Sequence, residues 1–149
     1  MEIIKINSGQ DRFILLDRIT QVQENAIVAE KTFREAPAWL GIESLAQLGA
    51  MHVRYANRFS RHAMLLTIEK CGFNQDTDLN GVYLLQGKQT SRSRYAYGYH
   101  LTALQNDQIV IQGQFLFATI AYDDRFDQKQ LQSHYERLFT CLQSDIKTG

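Results

Sequence analysis

The sequence predicts an α+β fold: a six-stranded, mostly antiparallel sheet wrapped around a buried central helix, with an amphipathic helix at the C-terminus. Three observations carry this. Six segments read as strands by β-branched content and period-two alternation. One long segment, from about Ala38 to Asn57, has helical periodicity and lies between the second and third strands. The last four strands follow one another with no helix between them, so the crossovers of a parallel sheet have nowhere to form. At 149 residues the chain suits a single domain over residues 1–149 with its own core.

The opening "MEIIKINSGQ" alternates apolar with polar residues and lacks the basic head and apolar run of a signal peptide. "RFILLDRITQVQ" and "NAIVAEKTF" read as two strands joined by a polar turn at Glu24-Asn25. Pro37, the only proline, suits a helix start because its fixed φ and missing N–H cost nothing there. Over the next turns Trp39, Leu40, Ile42, Leu45, Ala46 and Leu48 occupy most of the circumference. A helix apolar nearly all round is expected to be buried. After the basic exit "NRFSRH" come the strands "AMLLTIEKCGF", "GVYLLQGKQTS", "SRYAYGYHLTALQ" and "QIVIQGQFLFATIAY", the last two joined by a turn at Asn106-Asp107. Tyr95, Tyr97 and Tyr99 should share one strand face, and Ile109, Ile111, Phe115 and Phe117 another. In "DQKQLQSHYERLFTCLQ", Asp127 and Gln130 have capping-box-like spacing, and Leu131, Tyr135, Leu138 and Leu142 form one stripe, as in a surface helix.

Sixteen basic and sixteen acidic side chains cancel, so no global field favours nucleic acid or an anionic membrane, and no segment reaches the length of a membrane span. Cys71 and Cys141 share no zinc or C-x-x-C spacing with the four histidines, so the expectation is reduced core thiols in a cytoplasmic protein, with no metal and no cofactor. Phosphate-loop, dinucleotide, G-x-S-x-G and H-E-x-x-H motifs are absent from the sequence. The residue that asks for an explanation is Glu43, a carboxylate on the apolar helix.

"FILLDRI", "PAWLGIESLAQ", "LLTIEKCGF" and the three strands from Asn80 to Thr119 resemble, over about residues 11–121, the hotdog-fold 3-hydroxyacyl-carrier-protein dehydratases. That resemblance implies a curved sheet around a central helix. It also implies Glu43 as catalytic acid, Gln47 as its partner one turn on, and Ala38 as the residue whose N–H meets the thioester carbonyl, with Pro37 and Trp39 beside it in acyl binding. An unpaired N–H at a helix start can bind a developing oxyanion. The family's glycine-histidine loop ahead of the proline has no counterpart, since "VAEKTF" runs through "REA" into Pro37. His52 is nine residues after Glu43 and falls on the opposite side of the helix at about 100° per residue. In this respect the chain is similar to the dehydratase-like hotdog proteins of bacterial aryl polyene clusters, which accompany a second, histidine-bearing hotdog protein.

The resemblance implies an acyl carrier protein or coenzyme A thioester as partner, and a homodimer, a higher oligomer or a heteromer with a second hotdog protein. Arg54, Arg58, Arg61, Arg92 and Arg94 would form a cationic patch for such a carrier if the helix end and the strand hairpin meet. Three activities follow: a dehydratase-like lyase of fatty-acid or polyene synthesis, a thioesterase that needs only Glu43 and the Ala38 N–H, or a noncatalytic subunit.

Overall fold

A computed structural model describes residues 14–75, 77–122 and 128–148. The chain runs β1 (Arg18–Gln23), β2 (Ala26–Ala36), α1 (Ala38–Ala56), β3 (His62–Phe73), β4 (Leu79–Arg92), β5 (Ala96–Gln105), β6 (Gln108–Ile120) and α2 (Gln128–Thr148). The strands form one sheet in the order β1-β2-β4-β5-β6-β3, and every pairing is antiparallel. The β5–β6 hairpin turns at Asn106 and Asp107, whose φ angles of 53° and 66° are those of the tight turn that matches strand twist.

α1 packs across the sheet and contacts β2 through β6. Leu45, Leu48 and Val53 of the helix meet a core that includes Leu79, Leu85, Leu101, Ile111, Phe115 and Phe117. Glycines set how closely the layers approach. A Cβ on Gly49 would lie 2.5 Å from Cζ of the buried Phe117 ring, so Gly49→Ala forces ring and helix apart. The expected cost is about 1–3 kcal/mol, read as a lower urea midpoint. An unchanged midpoint would mean that the ring yields freely.

Four expectations need correction. α1 is not buried all round: Trp39 is 61% exposed and Glu43 is exposed, because the sheet covers one side of the helix only. The first strand begins at Arg18 rather than before it, the Leu15 N–H being bound to the Gln47 side chain instead of a strand. Tyr97 and Tyr99 are buried while Tyr95 is exposed, and Ile109 is exposed while Ile111, Phe115 and Phe117 are buried. Tyr95 precedes β5, and the shift of register between Ala103 and Leu104, which pair with Ile111 and Ile109, breaks the alternation in β6. Both cysteines are free, but Cys141 lies exposed on α2, outside the core. "MEIIKINSGQ" and the Asp127 cap fall outside the described residues.

Candidate functional site

Between α1, α2 and the β3 end of the sheet lies a cavity of about 370 Å³, within the range of small-ligand sites. Its walls are mainly aliphatic and aromatic: Ile42, Ala46, Ala50 and Met51 of α1, Leu65 and Ile68 of β3, Phe117 of β6, Leu16 ahead of β1, and Tyr135, Leu138 and Leu142 of α2. Among them stand four polar side chains: Glu43, Gln47, Arg54 and His134. The stripe on α2 is thus a wall rather than a solvent-facing surface, and α2 packs on β1 and α1.

The helix repeat explains why three of those groups come together. Successive steps of four and seven residues keep Glu43, Gln47 and Arg54 within about 40° of one another around the α1 axis. Glu43 is exposed while Arg54 is buried, so the carboxylate marks the open end of the cavity and the guanidinium its interior. Gln47 Oε1 accepts the Leu15 N–H at 2.8 Å, which ties the segment before β1 to the helix and closes one side.

The start of α1 carries no side-chain cap, and its first turn has no acid. The Pro37 carbonyl accepts the Leu40 N–H at 3.0 Å, and the N–H groups of Ala38 and Trp39 are ones a helix cannot satisfy internally. Pro37, Ala38 and Trp39 do not line the cavity. They lie beyond its Glu43 end. Ahead of them the β2–β4 register shifts between Phe33 and Ala36, with Glu35 at φ 47° and its N–H held by Asn80 Oδ1 at 2.7 Å. This short bulge stands where a longer loop would otherwise lead into the helix.

His52 is fully buried on the side of α1 away from the cavity. Its Nε2 lies 2.8 Å from the Gln23 carbonyl, which can only accept, so Nε2 carries the proton and Nδ1 accepts from the Tyr99 hydroxyl at 2.6 Å. Gln89 Nε2 donates to the same hydroxyl at 3.3 Å. Burial, with a smaller contribution from Arg92, lowers the pKa of His52, although the Gln23 bond opposes it. His62 is lowered to about 4 by burial and by Arg54. An unfolded histidine binds its proton near pH 6.5, so between that value and about 4 the unfolded chain is the more protonated. Stability is therefore fully present above about pH 6.5 and declines as pH falls toward 4. Urea midpoints at pH 7.5 and 5 should differ in that direction, with no change of slope.

The arginines divide. Arg54 is only 8% exposed, so it does not belong to a surface patch. Arg61 and Arg94 both approach the Tyr95 ring, at 5.0 and 5.2 Å from its centroid, and Arg92 lies 5.1 Å from that of Tyr97. Arg61 Nε donates to Thr119 Oγ1 at 3.0 Å. The segment after α1 and the β4–β5 hairpin do meet, with Arg58 exposed at the helix exit.

On the sequence His134 belongs to the C-terminal helix and is no evident substitute for the missing base; the structure places it on the cavity lining, a position set by how α2 folds back, which no local pattern encodes. No group of three or more histidine, cysteine or acidic residues that could hold a metal occurs among the described residues. Nor is any helix among them long and apolar enough to cross a membrane.

No protein-family model matches the sequence, and no curated protein does. Solved structures do. The dehydratase heterocomplex ApeI:P from Xenorhabdus doucetiae matches at a TM-score of 0.63 and 14% identity, covering 77% of this chain and 87% of that one. A mutant thioesterase from Pseudomonas aeruginosa gives 0.64 and 12%, covering 79% and 89%. A putative esterase from Mycobacterium tuberculosis gives 0.64 and 13%, covering 76% and 97%. This is a hotdog fold. At such identities the likeness concerns architecture: the hotdog sheet and the helix packed against it.

Proposed function

We propose that this hotdog protein binds acyl thioesters, with the acyl chain in the α1–α2 cavity and the thioester at its open end, and that it acts on 3-hydroxyacyl thioesters of an acyl carrier protein. The observation that carries this reading is the placement of Glu43 and Gln47 on the wall of an otherwise largely apolar cavity, on the helix whose uncapped start offers N–H donors. The Ala38 N–H would polarise the thioester carbonyl, as an oxyanion donor does. Dehydration then needs a base to take the α-proton and an acid to protonate the departing hydroxyl. Glu43 fits the second role. His134, on the same cavity wall, is the imidazole available for the first.

Thioester hydrolysis is the second reading. It is favoured by the short bulge before Pro37, which leaves no loop histidine, and by solved neighbours described as thioesterases. There Glu43 would activate water for attack on the carbonyl.

Assembly enters the same proposal. β3 is an edge of the sheet, it exposes Met64, Leu65 and Leu66, and such edges invite pairing. Leu65 and Ile68 of that strand also line the cavity, so a second hotdog sheet joined at β3, from this chain or a histidine-bearing partner, would adjoin the site. A heterocomplex among the solved neighbours is described as a dehydratase. Arg58, Arg61, Arg92 and Arg94 would receive the acidic carrier or the phosphates of coenzyme A.

The test is to incubate the pure protein with 3-hydroxyacyl and acyl thioesters, alone and with a second hotdog protein, scoring enoyl product and free thiol. Enoyl product from the chain alone supports the lyase, and thiol release supports the hydrolase. Activity only in the mixture supports a partner subunit. No turnover and no binding in any arm refutes the proposal.

A further inference from the structure

The buried end of the cavity holds a charge that the acyl-thioester reading does not use. Arg54 is more than nine-tenths buried, lines the cavity, and forms no salt bridge with an acid of the described residues. Its Nη2 donates to the Ala63 carbonyl at 3.3 Å, its Cζ lies 3.8 Å from the centroid of the Tyr135 ring, and its Nε has no hydrogen-bond partner.

A guanidinium withdrawn from water requires compensation. One carbonyl and one aromatic face supply part of it, and the buried Nε donor is left without a partner on a residue that lines the cavity. Arginine stays charged under any ordinary condition and is suited to forked binding of carboxylates. A methyl-ended chain reaching this point would leave the charge unanswered, whereas an oxygen anion would complete it. The spacing also fits a chain-like ligand. Glu43 and Arg54 lie on nearly the same line of α1, about 16 Å apart along the axis at 1.5 Å per residue, with Ala46 and Ala50 between them on the cavity wall.

We infer that the cavity selects acyl groups bearing a carboxylate at the end remote from the thioester, bound at Arg54. This rests on the acyl-thioester reading for the position of the thioester, but the anion site at Arg54 stands on its own geometry. It assigns Arg54 to substrate selection and α2, through Tyr135, to holding the guanidinium in place.

The test is calorimetric titration of the intact protein with two probes of equal chain length, the S-(2-oxononyl) thioether of pantetheine, in which a methylene separates sulfur from the carbonyl, and its counterpart ending in a carboxylate, followed by free octanedioate. The wild-type protein should bind the carboxylate-ended analogue about ten- to hundredfold more tightly, the range expected of a hydrogen bond to a charged group. Arg54→Met should abolish that preference, and Arg54→Lys should retain part of it. The wild-type comparison decides the matter even if a variant fails to fold. Equal binding of the two analogues, or preference for the methyl-ended one, overturns the inference while leaving the acyl-thioester reading intact. Binding of free octanedioate in an Arg54-dependent manner, with neither analogue bound, sustains the anion site and removes the thioester reading. No binding of any probe overturns both.

Discussion

Glu43→Gln is expected to lower thioester turnover by about a hundredfold or more, the range spanned by a positioned general acid or base, while acyl-thioester affinity changes only a few-fold. Glutamine keeps the size and hydrogen-bonding reach of the side chain but cannot exchange the proton. Since Glu43 is exposed at the open end of the cavity, the substitution leaves the core untouched, and urea stability should be unchanged. Steady-state kinetics separate the cases. A fall in kcat at constant KM assigns Glu43 to the chemical step, and a rise in KM alone assigns it to binding. Full activity in Glu43→Gln, in whichever assay shows turnover, would remove the carboxylate from the mechanism.

The largest effect on stability is expected at His52→Ala, about 3 kcal/mol or more. The imidazole fills a fully buried position and bridges the Gln23 carbonyl to the Tyr99 hydroxyl. Its removal opens a cavity in the core and takes from the buried Tyr99 hydroxyl its acceptor and from the Gln23 carbonyl its donor, and the cavity and the lost hydrogen bonds are both costly. Equilibrium unfolding in urea at neutral pH measures the cost. The same variant should show a weaker loss of stability between pH 6.5 and 5, because one depressed histidine no longer titrates there. A loss below about 1 kcal/mol would mean that water replaces the ring.

How much of this was legible in the sequence depended on the range of the interactions involved. The six strands and α1 could be read from period and turn chemistry: α1 was expected over Ala38 to Asn57 and spans Ala38–Ala56, and the Asn106-Asp107 turn is where expected. The fold class followed because four consecutive strands allow few arrangements. The environment of Glu43 is not legible in the sequence. An apolar circumference predicts burial on all sides, whereas Ile42, Ala46 and Ala50 of α1 face a cavity that α2 helps to wall. Arg54 looked like part of a surface cluster because its neighbours in sequence are basic. Its withdrawal beneath Tyr135 depends on α2, more than 70 residues away in the chain, and sequence proximity carries no such information. His134 reached the cavity by the same long-range packing. The opposite placement of His52 and Glu43 needed only the helix repeat, and it holds.

The central claim is that an acyl chain occupies the space between α1 and α2 with its thioester at Glu43. A crystal structure with a non-hydrolysable 2-oxoalkyl thioether, which keeps the carbonyl one methylene away from the sulfur, tests it most directly. The account predicts density for the chain along Ala46, Ala50, Leu65 and Phe117, with the carbonyl oxygen within hydrogen-bond reach of the α1 start. A bound acyl chain lying elsewhere, with this cavity empty, would contradict it.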